Sequence, residues 1–211
     1  MSDPRILIVD DHAIVREGLK FLLRAQLGSA HIGEAQSGEE GIRLLHRGKW
    51  DIVLLDISLP GRSGIDVLHK IKSAGLSVPV LMLSMHPEEQ YALRAIRAGA
   101  AGYLTKESAP MELVEAVRKV VGGGRYVSAS LAERLAQELG RPVAGLPHER
   151  LSDREFDVLR MIASGMTVSQ IAEKVSLSVK TISTYRTRVL QKMGLKNNAE
   201  LTHYALTHGI V

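Results

Sequence analysis

Five residues of this chain have the types needed to handle an anion and a cation together, and each closes a short apolar run. Asp10 and Asp11 follow "ILIV", Asp56 follows "IVLL", Ser84 follows "VLML", and Lys106 comes just after "GYL". An unpaired carboxylate costs several kcal/mol to bury. An acid at the end of a run of branched aliphatics must therefore sit where a strand emerges, with something positive beside it. Three carboxylates gathered on one rim repel and raise one another's pKa values unless a cation intervenes. Mg2+ takes oxygen ligands, keeps several waters and works with one or two carboxylates plus a phosphate oxygen, which suits this donor set. Lys106 then supplies an ammonium for an anion carried on Asp56, and the Ser84 hydroxyl supplies a donor to it. Singly, each residue has an ordinary reading: a strand-end Asp caps a turn, a lone Ser is a surface hydroxyl, a lone Lys is solvated. Occupation of all five rim positions is what sets the group apart.

The elements that must position them are legible as alternating patterns. Ile6 to Val9, Ile52 to Leu55 and Val78 to Leu83 read as buried parallel strands, with weaker strands at His31 to Ala35 and Gly102 to Leu104. Between them Val15, Leu19 and Leu22, then Leu113, Val117 and Val120, place aliphatics on one helical face. Pro60, Gly61 and Gly64 end the third strand and open a loop. Strand-helix alternation implies an α/β fold, a flavodoxin-like doubly wound five-stranded parallel sheet of order 2-1-3-4-5, over residues 1–121. Residues 122–149 read as a linker with a short helix, "SASLAERLAQEL", followed by Pro142, Gly145 and Pro147. No strand signal recurs in 150–211, which read as an all-α, four-helix module.

Length and composition bound the function. A chain of 211 residues, 45% apolar and 24% charged, is an ordinary globular protein of one or two domains. No leader pattern stands at the start and no apolar run reaches the roughly 18 residues a bilayer span requires, so a cytoplasmic location is the default expectation. The chain has no cysteine, so disulfides and thiolate metal sites are excluded, and its eight His lack the paired spacing of a structural metal site. The formal charge of +4 resides in the last third: nine Lys/Arg and five Asp/Glu from Arg150 onward, eighteen of each before it. That asymmetry points the basic segment toward nucleic acid.

In that segment Ser152 with Glu155 and Thr167 with Gln170 have capping-box spacing, Ser178 can cap a third helix, and Gly165 and Gly194 sit at helix stops. A fourth helix runs near Ala199 to His208. Thr167 to Met193 thus reads as helix, a turn through Ser176 and Leu177, and helix, a helix-turn-helix. On the second of these helices Val179, Ile182, Val189 and Met193 should face the core, with Leu190 beside them. The opposite side carries Lys180, Ser183, Thr184, Thr187, Arg188 and Gln191, side chains suited to base edges and phosphates in a major groove. An ordinary solvated amphipathic helix is the plain alternative.

"VDD", "LLDISLPGRSG", "LSMH" and "GYLTK" resemble, in order, the motifs of the receiver domain of bacterial two-component response regulators. "SVKTISTYRTRVLQKMGLKNNAELTHYA" resembles a LuxR-type helix-turn-helix domain, so the whole chain is similar to the NarL/FixJ family. The resemblance implies that Asp56 accepts a phosphoryl group from a phosphohistidine of a sensor histidine kinase. It also implies that Asp11, Asp56 and the Ser58 carbonyl bind Mg2+, with Asp10 holding a coordinating water. Ser84 and Tyr103 match the switch pair and Lys106 the phosphate-binding lysine. Ser58 and His86 match positions that tune phosphate lifetime, and Glu107 stands where many receivers have proline. In the second module the resemblance places Lys180, Thr181, Ser183, Thr184, Arg186, Thr187, Arg188 and Lys192 at the DNA, with Arg186, Arg188, Lys192 and Lys180 as phosphate clamps. The final helix, with Leu201, Tyr204 and Leu206, packs either on a second copy or within its own domain.

The implied protein is no turnover enzyme but a phosphoacceptor switch that takes part in its own Mg-dependent phosphoryl transfer, and a transcription regulator that binds double-stranded DNA half-sites as a homodimer. A haloacid-dehalogenase-type phosphatase would need a second carboxylate where Ser58 stands. GxxxxGK[ST], GxGxxG and GxSxG are absent. An interaction protein whose helical tail binds protein or RNA is the alternative from another class.

Overall fold

Residues 3–60, 62–85, 87–139 and 146–211 are described by the structure, a computed structural model. Gly61, His86, Pro142 and Gly145 lie outside the described residues. The chain divides into two compact units, Met1–Leu139 and Gly140–Val211.

In the first unit the apolar runs become strands, most of them buried on both faces, while the edge strand His31–Ala35 is only partly covered. They are β1 (Arg5–Val9), β2 (His31–Ala35), β3 (Ile52–Asp56), β4 (Val80–Ser84) and β5 (Gly102–Thr105). All pair in parallel, in the order β2-β1-β3-β4-β5. Helices α1 (Ala13–Leu27), α2 (Gly38–Arg47), α3 (Gly64–Ser73), α4 (Glu88–Arg97) and α5 (Ala109–Val121) connect and follow them. Side chains alternate across a strand, so Ile6, Ile8, Ile52, Leu54, Leu81, Leu83 and Leu104 share one face. There they meet Leu19 and Leu23 of α1 and Leu113, Val117 and Val120 of α5. Val15 and Leu22 pack at the margin of that cluster. The periodicity of both helices is thus explained by one layer. Each fully buried Leu or Ile contributes roughly 1.5–3 kcal/mol.

The segment after residue 121 differs from a simple tether. Tyr126 donates its backbone N–H to Ala101 O and accepts from Tyr103 N at its carbonyl, forming an isolated parallel bridge beside β5. Its hydroxyl donates to Glu112 at 2.9 Å. The expected short helix follows as α6 (Ala129–Leu139), which packs on α4 with Leu131 fully buried. Through Leu139 the segment therefore adds to the first unit. Pro147, expected to break structure, instead opens a 3-10 helix, Pro147–Arg150.

The second unit holds α7 (Asp153–Ala163), α8 (Val168–Lys174), α9 (Val179–Met193) and α10 (Asn198–Thr207). Both capping boxes form, Ser152 with Glu155 and Thr167 with Gln170, and Ser178 accepts from Thr181 N. Gly194 ends α9 in the left-handed region, where a Cβ is disfavoured. In the turn between α8 and α9 Ser176 takes φ 53°, a left-handed conformation without glycine's freedom. Phe156, Leu159 and Ile162 of α7 and Ile171 of α8 are buried, as are Ile182, Val189 and Met193 of α9 and Leu201 and Ala205 of α10.

Candidate phosphoryl site and nucleic-acid interface

The carboxyl ends of β1, β3 and β4 and the loop after β5 bring the five rim residues together. Asp10 and Asp56 are fully buried, Ser84 is fully buried at the last position of β4, and Asp11 is half-buried. Lys106 reaches in from the β5–α5 loop, its backbone N–H held by Ser84 O at 2.7 Å. Its Nζ lies 2.6 Å from Asp10 Oδ2 and 3.1 Å from Asp56 Oδ2. The positive partner that a buried strand-end acid demands is therefore a single ammonium shared by two carboxylates. The peptide between Lys106 and Glu107 is trans.

One ammonium does not satisfy this many oxygens. It meets the acids at ion-pair distance but off the hydrogen-bonding direction, so Asp10 Oδ2, Asp11 Oδ1 and both Asp56 oxygens are buried without a well-aligned hydrogen-bond donor among the described residues. Burial pushes the Asp56 carboxyl above the ordinary range and the Asp10 charge adds to the push, while Lys106 and the Ser58 backbone amide pull it down without cancelling it. Buried, donor-poor carboxylate oxygens are the arrangement a hard cation completes. Oxygen or nitrogen atoms from Asp10, Asp11, His12 and Asp56 lie within 4.8 Å of one another, a spacing able to hold one metal ion.

Local sequence explains how the rim is held. Gly64 is required because a Cβ there would stand 2.0 Å from the Asp56 carbonyl oxygen, and its N–H donates to Ile57 O at 2.8 Å. Ser63 then caps α3 through Ile65 N at 3.2 Å. Ser58 is exposed in the same loop. Tyr103 is buried on β5, its ring inside the unit.

Two neighbours of the acids escaped the sequence reading. Arg16, only 7% exposed, donates from Nη1 to the Asp10 backbone carbonyl at 2.8 Å and from Nε to Glu34 at 3.1 Å. Lys20 Nζ meets the other Glu34 oxygen at 2.6 Å. The turn carrying both acids is thus pinned by a charged side chain bound on two sides. Its signal was positional: residues 16, 19 and 23 share one helical face, and the other two are core leucines. His12 is the second, with Nδ1 3.0 Å from Asp11 Oδ1.

On α9 the exposed surface carries Lys180, Ser183, Thr184, Thr187, Arg188 and Lys192, while Thr181 and Arg186 are half-buried. Thr184 donates its hydroxyl to Lys180 O and Thr187 to Ser183 O, each at 3.0 Å, so these hydrogens are spent within the helix and the lone pairs and methyls remain outward. Thr181 completes the Ser178 cap, its Oγ1 2.7 Å from Ser178 Oγ. Arg186 Nε donates to Asn198 at 2.6 Å, tying α9 to α10. Lys192 Nζ meets the buried carboxylate of Glu155 at 2.6 Å. Burial alone would raise the Glu155 carboxyl, but Lys192 and the Ser152 cap outweigh it and hold the group below its usual range. Among the described residues Lys180 and Arg188 have no carboxylate partner. Val179 departs from expectation: it is 51% exposed at the first position of α9, and burial on that helix begins at Ile182. On α10, Leu201 packs within its own unit, Tyr204 stacks on His208 and bonds His148, and Leu206 is exposed.

Two domain families account for this pair of sites. Residues 6–118 match the family described as response regulator receiver domain, and residues 149–205 match bacterial regulatory proteins of the luxR family. The chain is 37% identical to the response regulator UvrY of Escherichia coli over 206 residues, 97% of this chain and 94% of that one. It is 36% identical to the response regulator GacA of Pseudomonas aeruginosa over 208 residues, covering 98% and 97% of the two chains. Among solved structures it is similar to RcsB from Salmonella enterica serovar Typhimurium bound to promoter rprA in the presence of phosphomimetic BeF3-. That likeness has a TM-score of 0.63 at 28% identity and covers 96% of this chain and 98% of that one. A receiver fold with an acid rim, joined to a LuxR-type helix-turn-helix, defines a two-component response regulator that binds DNA under control of phosphorylation. The chain belongs to the NarL/FixJ family of these regulators.

Proposed function

We propose that Asp56 is the phosphoacceptor of a cytoplasmic, sequence-specific transcription regulator, with residues 1–121 as the receiver and 150–211 as the DNA-binding domain. An Asp56 carboxylate oxygen attacks the phosphorus of a phosphohistidine on a sensor histidine kinase. The phosphorus–nitrogen bond breaks, the imidazole nitrogen keeps the electron pair, and an acyl phosphate forms. Asp11, Asp56 and the Ser58 carbonyl would hold Mg2+, with Asp10 ordering a water on it; the ion supplies charge neutralisation around the phosphoryl oxygens. Lys106 pairs with the new anion and Ser84 donates its hydroxyl to it, while Tyr103 turns behind Ser84. The chain thereby takes part in its own phosphoryl transfer and catalyses no turnover of another substrate.

The observation that carries this reading is the shared ammonium: one lysine lies within 3.1 Å of oxygens on two fully buried aspartates. Added dianionic charge at Asp56 redistributes those contacts and alters the neighbouring β4 and β5 region. At the other end, Lys180, Arg188 and the outward edges of Ser183, Thr184 and Thr187 face duplex DNA, and Arg186, Thr181 and Lys192 support the helix that presents them. A homodimer places two such helices on paired half-sites. RcsB, the relative whose structures include dimers bound to DNA, supports that assembly. Selection of bound genomic fragments with and without acetyl phosphate and Mg2+ tests the reading. A defined set of fragments enriched only with the phosphodonor is expected; enrichment indifferent to it, or none of duplex DNA at all, contradicts it.

A further inference from the structure

The solvent side of α1 carries two of the most exposed large apolar side chains among the described residues, Ile14 at 85% and Phe21 at 74%. Leu19 and Leu23, which anchor the helix to the core, lie on its other side. At about 100° per residue, Ile14, Gly18, Phe21 and Ala25 fall within an arc of about 60°. All four are exposed, and they recur at steps of four, three and four residues, the spacing of a seam between paired helices. Gly18 is the member that the fold itself does not explain. Glycine weakens a helix interior relative to alanine, and a Cβ built at this position meets nothing within 4 Å. A bulky side chain arriving from outside would account for the missing one.

The stripe is complementary to itself. When two copies of α1 lie antiparallel, centred between Leu19 and Lys20, Ile14 of each faces Ala25 of the other and Phe21 of each faces Gly18. Every large residue then meets a small one, the condition for close helix packing. A parallel pair would instead set Phe21 on Phe21 and Gly18 on Gly18. The two-fold axis of the antiparallel pair brings the same flank of both helices together. On that flank stand Glu17, 70% exposed beyond its contact with Lys20, and Arg24, an exposed cation with no ion pair among the described residues. In this register Glu17 of one copy and Arg24 of the other come within one helical turn of each other along the seam, twice, with opposite charge.

We propose that α1 is a self-association face on which a second copy of this chain docks antiparallel, Phe21 over Gly18 and Ile14 over Ala25. This deepens the homodimer reading above and rests on it. From Ile14 to Ala25 the seam runs about 17 Å, so the contact is weak in free solution and takes effect between copies held on adjacent half-sites, where tethering raises their local concentration.

Exchange of the two central residues tests the register. Gly18→Phe sets bulk against bulk and Phe21→Gly sets hole against hole, whereas the double variant Gly18→Phe/Phe21→Gly restores one of each and leaves the composition of the helix unchanged. Sedimentation equilibrium of the full chain, with and without acetyl phosphate and Mg2+, reads the association constant, and circular dichroism checks that all four proteins keep their helix content. Each single variant is expected to lose about tenfold or more in association, as for a residue at an interface centre, and the double variant to regain most of that loss. Unchanged association in the single variants, or a double variant as weak as the weaker single one, overturns the proposal while dimerisation stands, and the stripe then belongs to another protein such as the sensor kinase. A wild type that stays monomeric in both conditions up to about 1 mM contradicts both this proposal and the homodimer on which it rests.

Discussion

Replacing Lys106 with methionine removes the ammonium shared by Asp10 and Asp56 while keeping a similar apolar stem. At an effective dielectric of about 20, unit charges at the observed 2.6 and 3.1 Å attract by about 6 and 5 kcal/mol. That gross loss is not the net cost, because a carboxyl can escape by taking up a proton. Keeping an ordinary carboxyl protonated costs about 1.4 kcal/mol per pH unit above its pKa, or about 4 kcal/mol at pH 7. Asp56, whose carboxyl is already pushed upward by burial, is the group that takes it. We therefore expect Lys106→Met to lose about 3 kcal/mol at pH 7, in line with other buried pairs stripped of one partner. The folded variant then holds one proton more than its unfolded chain. Its deficit consequently grows with rising pH and shrinks by about 1.4 kcal/mol per unit on acidification toward the usual carboxylate range. The assay is urea unfolding followed by tryptophan fluorescence. Trp50 is the sole tryptophan and belongs to the first unit, its Nε1 donating to Leu44 O at 3.0 Å and its ring lying over Gly33. A deficit below about 0.5 kcal/mol, or one that does not vary between pH 5 and 7, would refute the shared-ammonium argument.

Glu155→Gln should flatten the acid limb of the second unit. The Glu155 carboxyl is held below its usual range, so its stabilisation is present above the ordinary glutamate pKa of 4.5 and is lost as pH falls through the lower, folded value. Hydrogen exchange of the α7 amides reads this, and an unchanged acid limb argues against the Lys192 pairing. Lys180→Ala and Arg188→Ala should each weaken DNA binding and lower the slope of log affinity against log salt by about one, measured by fluorescence anisotropy; unchanged slopes would move the interface off α9. Leu131→Ala should cost about 2–5 kcal/mol of α6 docking, seen as faster exchange in α6 with the sheet amides unchanged. If protection persists, α6 is not held by that side chain.

How much of this was legible in the chain depended on how local the cause was. The strands were readable because parallel strands covered on both faces are continuous apolar runs, as β3 and β4 are up to their closing Asp56 and Ser84. β2, "HIGEA", was one of the two weaker ones: it is an edge strand whose Gly33 yields to the Trp50 ring and whose Glu34 serves Arg16 and Lys20. The rim acids were readable because they terminate strands. The pairing of Lys106 with Asp10 as well as Asp56 depends on loop paths that no periodicity encodes. The same holds for Lys192: its sequence position suggested an outward cation, whereas a residue 37 positions earlier, Glu155, claims it. Val179 obeyed the helical period yet is exposed, because periodicity assumes that a neighbour covers the whole length of the helix. Tyr126 carried no signal at all, since a single bridge beside β5 is a tertiary event.

The central claim, that the buried acid rim exists to place a phosphoryl group on Asp56, is tested most directly by intact-mass measurement after incubation with acetyl phosphate and Mg2+. One phosphoryl group on the wild type and none on Asp56→Asn, with Asp10 and Asp11 left in place, is the predicted result. Equal uptake by the two proteins would contradict it.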